Sequence, residues 1–349
     1  MNGIQTGFSR FRRTPAFTGA VLFLIALLLN IAMQGPGSFF GLGNLNTLFS
    51  KNTPLILITL AQGLLLISGT LDISIGIQLA LVNVVVIMVP QEWGWPIGMG
   101  WVMGILAAVA VSALCGFLVS VVRLPDLLAS FSLIYILRGV NVLIMESPQG
   151  KVPSELYKAY DSLVGGIIPA SALVVLAVFL FWLYLKRTRF GKHIYAVGIN
   201  PHNAFAAGIN PVATRMNAFL LKGVITGIGG ICLTLMTASG NPLQAEDYGL
   251  RSLAACIIGG LGFGGWGSLS CALFGAGFLV LIQNAVYYFF NLLFNLIPGF
   301  QVSSYWQNMV SDVIIFLGLL MTILTTKGQK EALKQVIVRQ FKRGERIVK

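Results

Sequence analysis

Four ionisable side chains interrupt long apolar stretches of this 349-residue chain, at Asp72, Arg138, Lys222 and Asp312. Charged groups inside an apolar span are rare, and they mark solute paths, ion relays or buried pairs. Arg138 is predicted to pair with a carboxylate such as Asp312 or Asp126. Lys222 is near enough to the end of its apolar stretch for its ammonium group to reach the interface, so it is predicted to snorkel.

The surroundings of Asp72 favour a role at a helix start. Gly69 and Gly76 flank it in the segment GTLDISIG and indicate a broken or distorted helix. The side chains of Asp72 and Ser74 could cap the free backbone groups of such a start. Direct contact with a solute is the alternative.

Uncharged polar residues also lie within or near the apolar stretches. Amides, hydroxyls and aromatic rings suit a path for a polar solute, although each could instead make an interhelical hydrogen bond. These residues are Gln62, Gln78, Asn83, Asn141, Gln283, Asn284, Tyr287 and Asn308. The predicted path residues are Gln62, Asp72, Ser74, Asn83, Arg138, Asn284 and Asp312.

No residue pattern predicts catalysis or a metal site. The two histidines, His193 and His202, lie in one polar loop with no cysteine or carboxylate at ligand spacing. Neither Gly-Lys pair, at 150–151 and 191–192, is followed by Ser or Thr, so the P-loop pattern is absent. The cysteines lie in apolar runs and are predicted to be packing residues rather than ligands or disulfides. They are Cys115, Cys232, Cys256 and Cys271.

The segment GGLGFGGWG, residues 259–267, contains a G-x-G-x-x-G pattern. It follows an apolar run rather than a strand of a βαβ unit, so a dinucleotide site is not predicted. Its glycines favour a tight turn at which two helices approach closely, with Gly262 leaving no room for a branched side chain. The predicted structural glycines are Gly259, Gly260, Gly262 and Gly265.

The composition requires an apolar environment, since 56% of the residues are hydrophobic and 10% are charged, against about 25% charged in soluble domains. The chain is therefore predicted to be an all-α integral membrane protein. Its apolar runs predict ten membrane segments, of which the eighth is too short for a full crossing. They are Ala16–Met33, Pro54–Ser68, Ile73–Val89, Ile97–Val122, Leu127–Met145, Ile168–Leu185, Arg215–Ala238, Leu253–Gly260, Leu269–Phe290 and Tyr305–Thr325.

The net charge of +12 is predicted to reflect topology rather than nucleic-acid binding. Most Lys and Arg fall on one side of the ten segments, and the predicted outer connections hold only Lys51, Lys151, Lys158 and Arg251. This positive-inside asymmetry places both termini in the cytoplasm. The predicted organisation is a cytoplasmic segment 1–15, a transmembrane domain 16–326 with a cytoplasmic loop 186–214, and a basic cytoplasmic tail 327–349.

The predicted cytoplasmic loop contains the letters GINP twice, at Gly198–Pro201 and Gly208–Pro211. In each copy the glycine suits the position just past a helix end, the asparagine suits an N-cap, and the proline suits the first helical position. A helix of about two turns is therefore predicted from Pro201 to Ala207, and a new helix starts after the second copy.

Four stretches carry a resemblance that covers most of the chain in order. They are GTLDISIG, the loop with YAVGINPHNAFAAGINP, the segment LAACIIGGLGFGGWGSLSCALFGA and the segment SSYWQNMVSDVIIFLGLL. Together they resemble the permease subunits of bacterial ATP-binding-cassette (ABC) importers of the ribose and simple-sugar type. Branched-chain amino-acid permeases share the architecture, but the amino-acid sequence of their corresponding loop is less similar.

The resemblance implies a type II ABC importer-like permease in the bacterial inner membrane, importing a monosaccharide or a related small polar solute. Its implied partners are ABC ATPase subunits, a second permease copy or a paralogue, and a periplasmic substrate-binding protein. ATP and Mg²⁺ would be bound by the ATPase, so no cofactor is expected in this chain, and no catalytic residue either.

The resemblance also implies that the helix from Pro201 to Ala207 fits a cleft of the ATPase. Its alanines would allow close approach, and Phe205 would be the apolar anchor. The alternative is a loop helix that lies on lipid headgroups. The residues of this predicted ATPase contact are Asn200, Pro201, His202, Asn203, Ala204, Phe205, Ala207 and Gly208.

Three other functions share parts of this pattern. A secondary transporter would carry its own coupling-ion site, and a channel would pass solute at rates independent of ATP. A branched-chain amino-acid importer would differ only in substrate. The sequence leaves open which sugar is carried, and whether the permease pairs with itself or with a paralogue.

Overall fold

The computed structural model describes residues 16–296 and 303–325. Within these ranges the chain forms fourteen α-helices and one two-stranded sheet. In chain order the elements are α1 (Ala16–Gln34), α2 (Pro36–Phe39), α3 (Leu42–Ile67), α4 (Ile75–Trp93), α5 (Ile97–Ser120), α6 (Asp126–Ile144), α7 (Ser154–Tyr160), β1 (Leu163–Val164), β2 (Ile168–Pro169), α8 (Ala170–Arg187), α9 (Arg189–Ile199), α10 (Pro201–Ala206), α11 (Pro211–Thr237), α12 (Tyr248–Ile258), α13 (Leu269–Leu296) and α14 (Ser304–Thr325).

Eight of the described helices are long and apolar enough to cross a membrane, namely α1, α3, α4, α5, α6, α8, α11 and α13. They coincide with eight of the ten predicted segments. The predicted segment Leu253–Gly260 falls mostly in α12, an apolar helix of 11 residues, and Tyr305–Thr325 falls in α14. The predicted segment 1–15 and tail 327–349 lie outside the described residues.

Helices α3 and α11 form the centre of the fold. Every residue of α3 from Thr53 to Ile67 is buried, and α11 packs against α3, α4 and α5. The surrounding helices expose apolar side chains, as α1 does with Leu24 and Leu28. An outer surface of this kind suits lipid as the surrounding solvent.

Helix α3 begins well before the predicted segment, and Pro54 lies inside it. Proline has no N–H to donate to the carbonyl oxygen of Ser50, four residues earlier. The hydroxyl of Tyr160 donates a 2.8 Å hydrogen bond to that oxygen instead. The helix continues through the proline because a distant side chain satisfies the freed backbone group.

The chain between α3 and α4 is non-helical from residue 68 to residue 74, which confirms the predicted break near Asp72. Gly69 has a φ of +79°, which lets the chain turn out of α3. At Gly76, an added Cβ would lie 2.6 Å from the carbonyl oxygen of Ala245. The start of α4 therefore lies directly against the loop that precedes α12.

The all-α prediction misses a short hairpin, in which β1 and β2 pair antiparallel. Gly165 and Gly166 between the strands have φ values of +62° and +73°, which allow the chain to reverse. Ile168, predicted to begin the sixth span, therefore lies in β2, and the span begins two residues later as α8.

Candidate functional site

Helix α10 is present in the repeated motif and is one residue shorter than predicted. The side-chain oxygen of Asn200 accepts hydrogen bonds from the backbone N–H groups of His202 and Asn203, at 3.0 and 3.1 Å. Asn210 caps α11 in the same way. Gly208 follows the end of α10 with a φ of +81°, a conformation that favours glycine. Both ends of this short helix are thus fixed locally.

The exposed side of α10 carries Phe205, which is 70% exposed. His202 and Asn203 are exposed beside it. Ala204 faces the body of the chain and is 4% exposed, and its carbonyl oxygen accepts a 3.0 Å hydrogen bond from the backbone N–H of Ile209. The surface that α10 offers to a partner is therefore centred on Phe205 rather than on Ala204.

Gly198 does not lie past a helix end, contrary to the prediction, but in the last turn of α9. A Cβ at this position would lie 1.9 Å from the carbonyl oxygen of Ile67 and 2.9 Å from the backbone nitrogen of Gly265. Glycine is needed here because the backbone of α9 touches two other segments. Glycine at position 198 therefore allows α9 to pack closely against these two segments, and it does not reverse the direction of the chain.

The glycine-rich turn, residues 259–267, lies against the segment that carries α10. The backbone N–H of Gly264 donates a 3.1 Å hydrogen bond to the carbonyl oxygen of Leu66 at the end of α3. A Cβ at Gly265 would lie 3.1 Å from the carbonyl oxygen of Tyr195 in α9. We call the contact of this turn with α9 and with the end of α3 the glycine junction.

Within the turn, the close approach between helices is at Gly259 rather than at Gly262. A Cβ at Gly259 would lie 1.9 Å from the carbonyl oxygen of Cys271 in α13. At Gly262 the nearest such atom is Cβ of Trp266, at 3.5 Å, which is an ordinary van der Waals distance. Gly260 has a φ of +90° and shapes the turn. The prediction that Gly262 has no room for a side chain is wrong.

A buried ion pair joins Asp72 to Lys222. The ammonium nitrogen Nζ of Lys222 lies 2.7 Å from Oδ2 of Asp72, and both side chains are completely buried. The same ammonium group donates to Oε1 of Gln78 at 2.6 Å and to the hydroxyl oxygen of Ser112 at 3.1 Å. All three ammonium protons thus have an acceptor.

The carboxylate of Asp72 also holds the start of α4. Its Oδ1 atom accepts the backbone N–H of Ser74 at 2.8 Å and the hydroxyl of the same residue. Its Oδ2 atom accepts a 3.1 Å hydrogen bond from the amide of Gln78. Asp72 therefore combines a local hydrogen-bonding role at the helix start with a long-range ion pair.

The prediction that Lys222 snorkels to the membrane surface is wrong. Gly223 and Gly227 follow it on α11, and a Cβ at either glycine would lie 2.8 Å from a Cα atom of α5. This close packing encloses Lys222 between helices. The sequence signal was a charge in each of two separate apolar runs, and only the tertiary structure pairs Lys222 with Asp72.

Arg138 of α6 pairs with Glu246 and not with Asp312 or Asp126. Atom Nη1 of Arg138 lies 3.6 Å from Oε1 of Glu246, and the side chains are 49% and 33% exposed. Asp126 instead accepts a 3.1 Å hydrogen bond from the backbone N–H of Leu71. It therefore anchors the segment between α3 and α4.

Asp312 of α14 pairs with Arg251 of α12. Atom Nη2 of Arg251 lies 3.5 Å from Oδ1 of Asp312, and the Nε atom of Arg251 lies 2.8 Å from Oδ2 of Asp247. Sequence reasoning placed Arg251 in an outer connection, whereas it lies in the first turn of a helix that packs against α13 and α14. Its role as a partner of Asp312 was missed for that reason.

The family model described as "Branched-chain amino acid transport system / permease component" matches residues 44–323. The chain belongs to this permease family. It is therefore a transport subunit rather than an enzyme, and the eight apolar helices agree with a multi-pass protein of the inner membrane.

Several relatives of this permease are ABC transporter permeases. The probable ABC transporter permease protein YphD of Escherichia coli is 28% identical over 318 residues, which cover 90% of this chain and 91% of that protein. The ribose import permease protein RbsC of Escherichia coli is 28% identical over 331 residues, covering 90% and 97%. The D-allose transport system permease protein AlsC of Escherichia coli is 26% identical over 309 residues, covering 87% and 91%. No solved structure matches the chain significantly.

Three predicted path residues of the permease have distinct surroundings. The side-chain oxygen of Asn83 accepts a 2.7 Å hydrogen bond from the backbone N–H of Asn241. Asn284 donates a 2.9 Å hydrogen bond to the side chain of Asn30 in α1. Gln62 is completely buried, and neither of its amide atoms has a hydrogen-bond partner within the described part of the chain.

Proposed function

We propose that this permease is the membrane subunit of an ATP-driven importer for a monosaccharide or a related small polar solute. The observation that carries the proposal is α10, a helix capped by Asn200 that presents Phe205 to the surrounding solvent. Relatives named as ribose, D-allose and fructose import permeases support the solute class. The helix supports the need for an ATPase partner.

The proposed assembly contains two permease subunits, either two copies of this chain or this chain and a paralogue. A pair of ATPase subunits binds ATP and Mg²⁺ on the cytoplasmic side. A periplasmic binding protein delivers the solute, so the permease itself does not need to bind it tightly. Alternating access then follows when closure of the ATPase pair shifts the equilibrium between two permease conformations.

The fold offers a short route from α10 to the centre of the permease. Helix α11 begins five residues after α10 ends and carries Lys222, which holds Asp72. Helix α9, on the other side of α10, touches the end of α3 through Gly198 at the glycine junction. A displacement of α10 would therefore act on the non-helical segment 68–74 at two places, on Asp72 through Lys222 and on the end of α3 through Gly198.

We also propose ten spans with both termini in the cytoplasm. Helix α14 has 22 residues, or about 33 Å at 1.5 Å per residue, which matches a hydrocarbon core of about 30 Å. Helix α12 has 11 residues and by itself reaches about half that depth. In the proposed topology the glycine-rich turn after α12 completes the crossing, because this turn lies against α9 of the proposed cytoplasmic loop. The proposed domain boundaries are those of the sequence prediction: segment 1–15, domain 16–326 with loop 186–214, and tail 327–349.

The proposed solute path keeps the seven residues that the sequence indicates. Arg138 and Asp312 have partly exposed side chains, so they suit the wall of the path. The buried members suit a supporting role behind that wall. They are Gln62, Asp72, Ser74 and Asn83, and Asn284 ties α13 to α1.

Reconstitution into proteoliposomes tests this function. The permease with its ATPase and binding protein should accumulate radiolabelled D-ribose, D-allose or D-fructose only when ATP is supplied on the ATPase side. The purified permease alone should transport none of them. Transport by the permease alone would contradict the proposal in favour of a secondary transporter or a channel, and accumulation of leucine instead of sugars would contradict the solute class.

A further inference from the structure

Five charged residues lie together on the surface formed by α6, α12, α14 and the loop before α12. Arg138 and Glu246 form one pair. Asp247, Arg251 and Asp312 form a second network, in which the side chains of Asp247 and Asp312 are 57% and 55% exposed. We call these five residues the charged face.

Two members of the charged face, Arg138 and Asp312, lie within the proposed membrane thickness. Arg138 is twelve residues from the first residue of α6 and six from the last, which are about 18 Å and 9 Å along the helix. Asp312 is eight residues from the start of α14, or about 12 Å. Both charges are therefore at a depth where lipid tails would surround an outward-facing surface.

Lipid is an unfavourable environment for this face. One charged side chain at the centre of a bilayer costs at least about 2.5 kcal/mol, and this face exposes several together. The same chain buries its other intramembrane ion pair completely, at Asp72 and Lys222. Ion pairs of this exposure are ordinarily found at water-exposed surfaces, so a water-filled space is a more favourable environment for the charged face than lipid.

A shallow, open groove of about 420 Å³ lies along α14, and residues of that helix alone line it: Tyr305, Asn308, Met309, Asp312, Val313 and Phe316. One of them, Asp312, pairs with Arg251 of α12. Tyr305 and Phe316 are 73% and 59% exposed. Solute hydroxyls donate to carboxylate and amide oxygens and accept from guanidinium and amide N–H groups. Aromatic rings offer apolar faces for the C–H side of a sugar ring. The groove thus combines the groups that bind a polyhydroxylated solute.

We propose that Arg251 and Asp312, with Tyr305 and Asn308, form a transit site for a neutral polyhydroxylated solute on the wall of a water-filled path. The inference rests on the proposed import function and adds to it the contact residues and the charge class of the solute. Atoms Nε and Nη2 of Arg251 contact the two aspartates, so within the described part of the chain its Nη1 atom is left to donate to a solute hydroxyl.

The balance of charge in this site favours a neutral solute over an anion. Arg251 carries one positive charge, and Asp247 and Asp312 carry two negative charges, so the network has a net charge of −1. An anionic solute such as a phosphorylated sugar would be repelled by this net negative charge. A neutral sugar needs only the hydrogen bonds.

Thiol labelling in membrane vesicles tests whether this face borders water. Asn308→Cys and Val313→Cys should react at least about tenfold faster than Leu28→Cys with a membrane-impermeant methanethiosulfonate, because the reactive thiolate forms only where water is present. Leu28 is 55% exposed on the apolar surface of α1 and is the matched control. The four native cysteines are buried. A cationic reagent should also react faster than an anionic one at Asn308→Cys.

Uptake measurements test the contact with solute. In the reconstituted importer, Asp312→Asn and Arg251→Gln should lower D-ribose uptake at least about tenfold, the effect of one lost hydrogen bond to a charged group. ATP hydrolysis should change less than about twofold, since neither residue lies near α10. Leu28→Cys should leave both rates unchanged.

The outcomes separate this inference from the proposed function. Labelling at Asn308→Cys as slow as at Leu28→Cys would overturn the water-filled face. Wild-type D-ribose uptake by both Asp312→Asn and Arg251→Gln would overturn the solute contact. A wild-type importer that takes up no sugar would contradict the proposed function itself, and the labelling rates would still report separately on the face.

Discussion

The ammonium group of Lys222 lies 2.7 Å from the carboxylate of Asp72, and neither side chain has exposed surface. The pair connects α11, which begins just after the α10 segment, with the non-helical chain before α4. Gln78 and Ser112 complete the hydrogen bonds of the ammonium group, so α4 and α5 belong to the same network. Four segments are thus held together at one buried point.

Lys222→Met should destabilise the permease, because it leaves the carboxylate of Asp72 buried without its cation. Breaking one side of a buried ion pair costs about 3 to 5 kcal/mol. Combining Lys222→Met with Asp72→Asn removes both charges and should recover part of that loss. Thermal unfolding of the purified variants in detergent measures the difference. A single variant as stable as the wild type would show that the pair does not support the fold.

Asp72→Asn should retain more uptake than Asp72→Leu. The asparagine amide oxygen can still accept the backbone N–H of Ser74, as the carboxylate does at 2.8 Å, whereas leucine removes every acceptor. Sugar uptake per folded permease in vesicles measures this. Equal and complete loss in both variants would show that the charge paired with Lys222 is required for transport.

Local features of the site were predictable from sequence, and long-range ones were not. The caps at Asn200 and Asn210 involve residues two and three positions away, so the repeated motif was sufficient. The partner of Asp72 lies 150 residues away, and the partner of Arg138 was assigned to the wrong carboxylate. A charge in an apolar run indicates that a partner is needed and carries no information on which one.

The packing of the glycine-rich turn was also only partly predictable from sequence. Composition alone predicted a close approach of helices in residues 259–267, and the approach is present. Which glycine makes it depends on the direction in which each missing Cβ would point, and that direction is set by the turn in three dimensions. Gly259 faces α13, while Gly262 faces the side chain of Trp266 at an ordinary distance.

Gly259→Ala should therefore lower the yield of folded permease, and Gly262→Ala should not. The new methyl group at position 259 would overlap the carbonyl oxygen of Cys271, and forced overpacking costs about 1 to 3 kcal/mol. Monodisperse yield after size-exclusion chromatography in detergent compares the two variants directly. A lower yield for Gly262→Ala than for Gly259→Ala would contradict the packing described for this turn.

Gly198→Ala should reduce sugar uptake by disturbing the glycine junction. Its Cβ would lie 1.9 Å from the carbonyl oxygen of Ile67, so α9 must move away from α3 and weaken the route from α10 to the spans. Gly43→Ala is the matched control, because Gly43 also lies in a helix and no heavy atom beyond its chain neighbours and its own helix backbone would lie within 4 Å of its new Cβ. Uptake per folded permease should fall for the first variant alone. Unchanged uptake at Gly198→Ala would remove the junction from the coupling route.

The contact with the ATPase is tested best at Phe205 and not at Ala204. Ala204 is 4% exposed, so a glutamate there would disturb the fit of α10 on its own chain and could not isolate a partner contact. Phe205 is 70% exposed, so its ring is available to a partner and contributes little to the fold.

Phe205→Ala should leave insertion and detergent-extracted yield near normal, while the ATPase subunit co-purifies poorly and uptake falls. Loss of one aromatic hot spot is commonly worth about 2 kcal/mol, roughly thirtyfold in affinity. Ile167→Ala is the matched control, since Ile167 is an equally prominent apolar residue, 69% exposed, in the turn of the β1–β2 hairpin. A helix that only rests on lipid headgroups would leave ATPase association unchanged in both variants. Co-purification of Phe205→Ala at wild-type stoichiometry with intact uptake would therefore exclude α10 as the coupling element, because Phe205 is the one large apolar side chain that this helix exposes.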